Sequence, residues 1–365
     1  MANRQVDYMP VAIETGSNVE GQSSYAIDPI RLTGHQAGVA KSSVANKMWR
    51  QSSVMVSALA NLLMEALDVD ILDDGDVNAL KVKLQDVLMG GRTTIMNANT
   101  NFYISATGSD GPQADGLTQA TAFATPQHAF DVVQEKYDIN GWTTYFNIGS
   151  GQNFSRVRMN SELQGQSWAG GMTWRGAGMG ATRINAVNTN AFEVVNGADC
   201  NIFDLAMTAT GRWDIWTGYG IWAGANCTVN IDRINFQACD CHLTSTFSSN
   251  IYTFPFETHT YTVSGGGTFH MMCNFNSLIA LYGTVVTVTG NPHFTGGTIT
   301  AYGGGHIGLD DPASYFTGAA TGMRFQVDQL SNITIGNRPE TILPGDVSGY
   351  INPDSPIQYF NGIRV

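Results

Sequence analysis

Two stretches of this chain can be laid over each other at an offset of 27 residues. Gly197-Ala198-Asp199-Cys200-Asn201-Ile202-Phe203-Asp204-Leu205 aligns with Gly224-Ala225-Asn226-Cys227-Thr228-Val229-Asn230-Ile231-Asp232. Phe192 to Val195 precedes the first copy as Tyr219 to Trp222 precedes the second. Looser copies run from Tyr261 through Gly265-Gly266-Gly267 to Met271, and from Gly322 through Phe325, Val327 and Leu330 to Ile335. Each copy holds short β-branched or aromatic runs broken by Gly or Asn. A unit this short cannot bury its own apolar face, so it must stack on its neighbours, which is the logic of a solenoid. A β-sandwich or jelly roll explains short strands but not a fixed offset. Roughly eight coils between Gly141 and Gly345, each rising about 4.8 Å, predict a rod about 40 Å long. In that rod Cys200 is expected to stack on Cys227.

The 41 glycines, against 11 prolines and with no G-X-Y period, fit many tight turns. A net charge of −12 argues against a nucleic-acid partner. No apolar run is long enough for membrane insertion. All five lysines lie at or before Lys136, so the rest of the chain has a low-charge Asn/Thr/Gly surface suited to an extracellular rod. The start, MANRQVDYMP, lacks the apolar core of a secretory signal, so synthesis in the cytoplasm without a signal peptide is expected. The cysteines Cys200, Cys227, Cys239, Cys241 and Cys273 read as small buried hydrophobes. Their odd number and the lack of CxxC spacing fit neither a disulfide framework nor a zinc site.

Residues 1–34 show little periodicity and predict an extended arm or irregular loops. Over residues 42–67, Val44, Met48, Met55, Leu59, Leu62, Leu63 and Ala66 recur at helical steps, with Ser42 or Ser43 as N-cap. Met48, Met55 and Leu62 fit heptad d positions, with Ser52, Leu59 and Ala66 at a positions. A second helix, capped by Asp74 or Asp76, presents Val77, Leu80, Leu84, Val87 and Leu88 and ends at Gly90-Gly91. The Asp-rich run before it lacks the spacing of a calcium loop. Two such helices make a thin core for one copy, which favours oligomerisation or docking on a partner.

From Asn101 to Gly151 the order is strand, acidic Gly-rich turn, helix, strand. Thr125 N-caps the helix, Pro126 is its first residue, and Ala129, Phe130, Val133 and Tyr137 form its apolar face. Laid across the first coil, this helix covers an end that otherwise invites edge pairing. Asp110 and Asp115 are expected to accept from nearby backbone amides. The division expected is a helical module over 1–100, a cap with first coil over 101–151, the solenoid over 152–340, and a cap or subunit-swapped segment over 341–365.

No nucleophile elbow, HExxH, P-loop or dinucleotide fingerprint is present, and no cofactor or metal is implied. GAGMGA at residues 176–181 reads as a solenoid turn. A glycan hydrolase needs two carboxylates about 5 to 10 Å apart. Asp204, Asp214, Asp232, Asp240 and Glu257 are the candidates, and Asp204 and Asp232 are separated by about one coil. Two turn residues would show the same spacing. For a lyase, Arg212 and Arg233 are the available bases. His242, His259, His270, His293 and His306 share no helical ligand spacing. Trp213, Asp214, Trp216 and Trp222 group aromatic and polar side chains as sugar-stacking sites do. Packing inside the coil or between subunits would also account for them.

Two resemblances complete the reading. Residues 34–87 hold an A-G-V-x-K-S stretch, W-R-Q-S-S at Trp49 to Ser53, and D-x-L-D-D-G-D at Asp70 to Asp76. This segment resembles the N-terminal segment of bacteriophage tail-fibre and tailspike proteins. FYISATGSDG followed by DGLTQATAFATPQHAFDVV is similar to the opening of right-handed parallel β-helix proteins of the pectate-lyase-like type. Together they imply a mainly β fold, a right-handed parallel β-helix preceded by a small α-helical module, assembled as a homotrimer in the virion. The module would dock to a phage tail or portal-proximal protein through Trp49, Arg50, Leu59, Leu62, Asp73 and Asp74. The solenoid would meet a host-surface polysaccharide, as a binding protein or as a depolymerase. A bacterial adhesin or secreted pectinolytic enzyme of the same fold fits the N-terminal segment less well.

Overall fold

The structure is a computed structural model describing residues 5–34, 41–88, 94–167, 171–211, 214, 217–253, 259–336, 338–352, 359–360 and 363–364. The chain forms two compact units, Met1–Thr93 and Thr94–Val365.

The first unit is helical. Where an irregular arm is predicted, the chain forms α1 (Gln22–Ile27) and α2 (Pro29–Thr33). Asp28 makes the break between them, its carboxylate accepting from the Ile30 N–H at 2.8 Å ahead of the helix that Pro29 opens. Helix α3 (Ser42–Leu67) begins at Ser42 without a side-chain cap. The expected capping hydroxyls are used by the preceding segment, Ser43 donating to Glu20 at 2.8 Å and Ser42 accepting from Asn18 at 2.9 Å. Helix α4 (Val77–Leu88) is capped by Asp76, which accepts from the Ala79 N–H at 2.9 Å. Its expected stop at Gly90-Gly91 lies outside the described residues. Ala60, Leu63 and Ile71 form the core of this unit, with Leu80, Leu84 and Val87 of α4 packed against them.

The second unit is a parallel β-solenoid of about seven turns. Helix α5 (Pro126–Lys136) lies at its start. Thr125 caps it by accepting from the His128 N–H at 3.3 Å, and Ala129, Phe130 and Val133 enter the same apolar core as the first strands. The acidic turn behaves as expected of local carboxylates. Asp110 accepts from the Ala124 and Thr125 N–H groups at 2.8 and 3.1 Å, and Asp115 accepts from that of Leu117 at 3.0 Å.

Each coil contributes up to three strands, so the solenoid has three faces. The first face stacks Thr144–Ile148, Met172–Gly176 and their successors through Asn332–Thr334. The second stacks Thr182–Val187, His259–Val263, Thr284–Val288 and Tyr315–Thr317; the third runs from Val157–Met159 to Tyr350–Ile351. Strands Asp199–Thr210 and Thr228–Cys239 belong to the first two faces at once, bending at Asp204 and Arg233, whose φ values are +60° and +48°. Inside, equivalent positions form ladders. Ile251, Ile279, Ile307 and Ile333 follow one another in register and are fully buried. Residues 176–181 form the expected turn, with Gly178 N–H donating to the Asp204 carbonyl at 2.9 Å. The closing segment adds Tyr350–Ile351 to the third face and Tyr359–Phe360 to the first.

The corner from the third face to the first has the same form in six coils. Residue pairs Asn196/Gly197, Ala225/Asn226, Phe247/Ser248, Phe275/Asn276, Gly303/Gly304 and Gln329/Leu330 all have positive φ. Left-handed backbone costs roughly 1–2 kcal/mol at a non-glycine residue. The cost is met by a continuous ladder in which the second residue of each pair donates its N–H to the carbonyl of the first residue one coil on. Gly197 donates to Ala225, Asn226 to Phe247, Ser248 to Phe275, Asn276 to Gly303 and Gly304 to Gln329, at 2.9 to 3.3 Å.

These corners correct the register. Asn201 pairs with Asn230 and Cys200 with Val229, a step of 29 residues, so Cys200 does not stack on Cys227. A 27-residue and a 29-residue step differ by one pleat period, and either keeps inward positions inward. The turn decides, because Asn196 must lie over Ala225. All five cysteines are nevertheless unpaired and buried.

Candidate functional site

The corner between the first and second faces brings Asp204 and Asp232 together on neighbouring coils. Arg233 occupies the position one coil above Asp204, and the register on either side, Phe203 with Asp232 and Leu205 with Ile234, fixes it there. Its guanidinium grips Asp204 through Nε at 2.5 Å and Nη2 at 3.1 Å, while Nη1 contacts Asp232. Asp232 is buried, with His259 Nδ1 at 3.2 Å and the Thr260 N–H donating to it at 3.3 Å. Burial raises the Asp232 carboxyl, but the His259 hydrogen bond and the Arg233 charge outweigh it and hold the group below its ordinary value. A general acid in glycan hydrolysis needs the opposite shift. The cluster therefore has the chemistry of a charged staple across two coils, and one guanidinium holds both carboxylates.

Asp214 lies in the connection from Asp199–Thr210 to Tyr219–Gly224, its N–H donating to Thr217 Oγ1 at 3.3 Å. Trp213, Trp216, Arg212 and Glu257 lie outside the described residues. Trp222 is half-buried in an outward row of the third face, continued by Thr244, Met272 and Thr300. It packs against a small apolar cluster of Tyr219, Cys241 and Met272, separate from the interior core. Trp174 is different, fully buried and stacked on Phe146 with centroids 4.2 Å apart.

In the first unit Trp49, Arg50, Leu59, Leu62, Asp73 and Asp74 are all exposed. Helix α3 buries Val44, Ala60 and Leu63, while Met48, Met55, Leu59 and Leu62 are 41%, 74%, 42% and 52% exposed. The heptad stripe thus lies on the side of α3 away from α4.

Sequence reasoning missed two associations. His259 joins Asp232 one coil below it. His242 and His270 meet inside the solenoid, Nδ1 to Nδ1 at 2.9 Å, with the Tyr261 hydroxyl 3.1 Å from His270 Nε2. The signal was a separation of one coil, 27 residues for Asp232 and His259 and 28 for His242 and His270, rather than a helical spacing. Phe247 and Phe275 share it, and their rings stack at 4.9 Å.

Comparison with protein-family models, curated proteins and solved structures returns no match.

Proposed function

We propose that this chain is a tail-spike or tail-fibre protein of a phage virion, attached through its helical unit and binding a host-surface glycan along its solenoid. The observation that carries the reading is the pairing of two separate units. One is a small helical body with an exposed apolar stripe on α3. The other is a parallel solenoid with a low-charge outer surface. The stripe suits docking or self-association, including the homotrimer. The two resemblances given by the sequence support the same assignment. The depolymerase alternative draws less support, since Asp204 and Asp232 are both engaged by Arg233.

Purified protein added to susceptible bacteria is expected to compete with phage adsorption. It is also expected to release no reducing ends or unsaturated sugars from host polysaccharide. Unchanged adsorption at saturating protein would sink the binding reading. Sustained cleavage abolished by Asp204→Asn or Asp232→Asn would establish the depolymerase instead.

A further inference from the structure

The first three coils of the solenoid carry a cleft next to the Asp204 corner, its Arg175 in register with Phe203 one coil on. Its volume is about 590 Å³, within the roughly 300–1,000 Å³ usual for ligand sites. Its floor is the outer side of the first face, where Tyr103, Asn147 and Arg175 follow one another in register. Ser105 and Gln119 of the cap contribute to its wall. The chain has 30 acidic residues and a net charge of −12, yet among the described residues no Asp or Glu lines this cleft, and its charged side chain is Arg175.

The other arginines of the solenoid whose partners are known hold either neutral oxygens, as Arg156 does on Thr189, Arg183 on Gln237 and Arg338 on backbone carbonyls, or carboxylates. Arg158 pairs with Glu193, Arg233 with Asp204 and Asp232, and Arg324 with Glu340. The Arg175 guanidinium instead sits over the Tyr145 ring, 5.4 Å from its centroid. Among the described residues no carboxylate lies within ion-pairing distance of it. A guanidinium held on an aromatic face keeps its N–H edges free and already oriented, which suits a planar carboxylate approached with two parallel hydrogen bonds.

The neighbouring groups suit hydroxyls. Asn147 Nδ2 donates to Asn101 Oδ1 at 3.0 Å, which leaves the Asn147 carbonyl and the Asn101 amide hydrogens for a ligand. Tyr103, half-exposed beside them, offers a ring face to sugar C–H groups.

We propose that this cleft binds an acidic saccharide, with Arg175 gripping the carboxylate of a sugar acid and the Asn101–Asn147 pair and Tyr103 holding its ring. This rests on the glycan-binding reading above and adds its charge class and its location.

The test is calorimetric titration of the full-length protein with short oligogalacturonate, hyaluronan oligosaccharide and oligosialate, and with carboxyl-reduced oligogalacturonate. At least one acidic oligomer is expected to bind, and Arg175→Gln to weaken it about tenfold or more. The reduced oligomer is expected to bind far more weakly and to be indifferent to Arg175→Gln. Arg175→Lys, which keeps the charge but loses the fork, is expected to weaken binding as well. Asn147→Ala supplies a second variant with the arginine intact and is also expected to weaken it. Full affinity in Arg175→Gln or Arg175→Lys, or no binding by any acidic oligomer, would overturn the proposal. If the acidic oligomers fail while host polysaccharide still binds, the glycan reading stands and the cleft assignment falls. If no polysaccharide binds, both fall.

Discussion

Gln237 offers the solenoid interior a carbonyl 2.9 Å from His242 Nε2, so that nitrogen must donate. A neutral His242 then accepts at Nδ1, His270 donates from its own Nδ1, and His270 Nε2 accepts from the Tyr261 hydroxyl. With both rings neutral, this pattern of tautomers satisfies every group. Burial enforces this, holding His242 down to about 4 and His270 well below its ordinary value. The unfolded chain, whose histidines titrate near 6.5, binds more protons than the folded one below that pH. Stability is therefore complete above about pH 6.5 and falls as the pH drops toward 4, by about 3 kcal/mol from His242 alone. Urea melts across this range are expected to show the loss. A Tyr261→Phe variant should lose about 1–3 kcal/mol at pH 7, because His270 Nε2 is left without its donor. These histidines were visible in the sequence but not as a pair. Helical spacing was the wrong ruler, and a 28-residue separation becomes meaningful only once the coil is known.

At the scale of elements, helix α5 was almost wholly legible. Thr125, Pro126 and the Ala129–Phe130–Val133 face are local signals, and each acts as its chemistry dictates. Helix α3 was legible as a helix but not in its orientation. Apolar residues lie on two of its sides, and periodicity alone does not say that Ala60 and Leu63 meet α4 while Leu59 and Leu62 do not. The strand ladders fall between these cases. Alternation shows which residues point inward, while the register that stacks Ile251, Ile279, Ile307 and Ile333 depends on turns several residues away. Each isoleucine is clasped from above and below, so the site has little room to collapse. Ile279→Ala is expected to cost roughly 2–5 kcal/mol, measurable by urea denaturation. A loss under about 1 kcal/mol would mean that the ladder is loosely packed.

At the scale of the whole chain, the solenoid core runs from Met96 to Leu343 without drawing on the first unit. Removing Met1–Thr93 is expected to leave the β-type circular dichroism intact. The melting temperature of the solenoid should move by less than about 4 °C, equivalent to roughly 1 kcal/mol. A collapse of the spectrum would show that the helical unit is needed for folding. The solenoid class could be read from repetition, but the coil length could not, because two registers differing by one pleat bury the same residues. The Arg175 cleft was illegible for a related reason, since its residues come from strands far apart in sequence.

Coil length varies in this protein, yet the variation is confined. The step from Thr228 to Asn250 is shorter than that from Asn201 to Asn230, and the difference arises in the connections around the second face. The left-handed corner keeps the same form in the six coils from Asn196 to Leu330. It works as a fixed seam along which the chain can be edited in whole coils. A lineage could duplicate the segment 250–277, or drop it, and lengthen or shorten the rod by about 4.8 Å without disturbing the pairing on either side. The loops at the other two corners could meanwhile diversify at little cost to the thread that holds them.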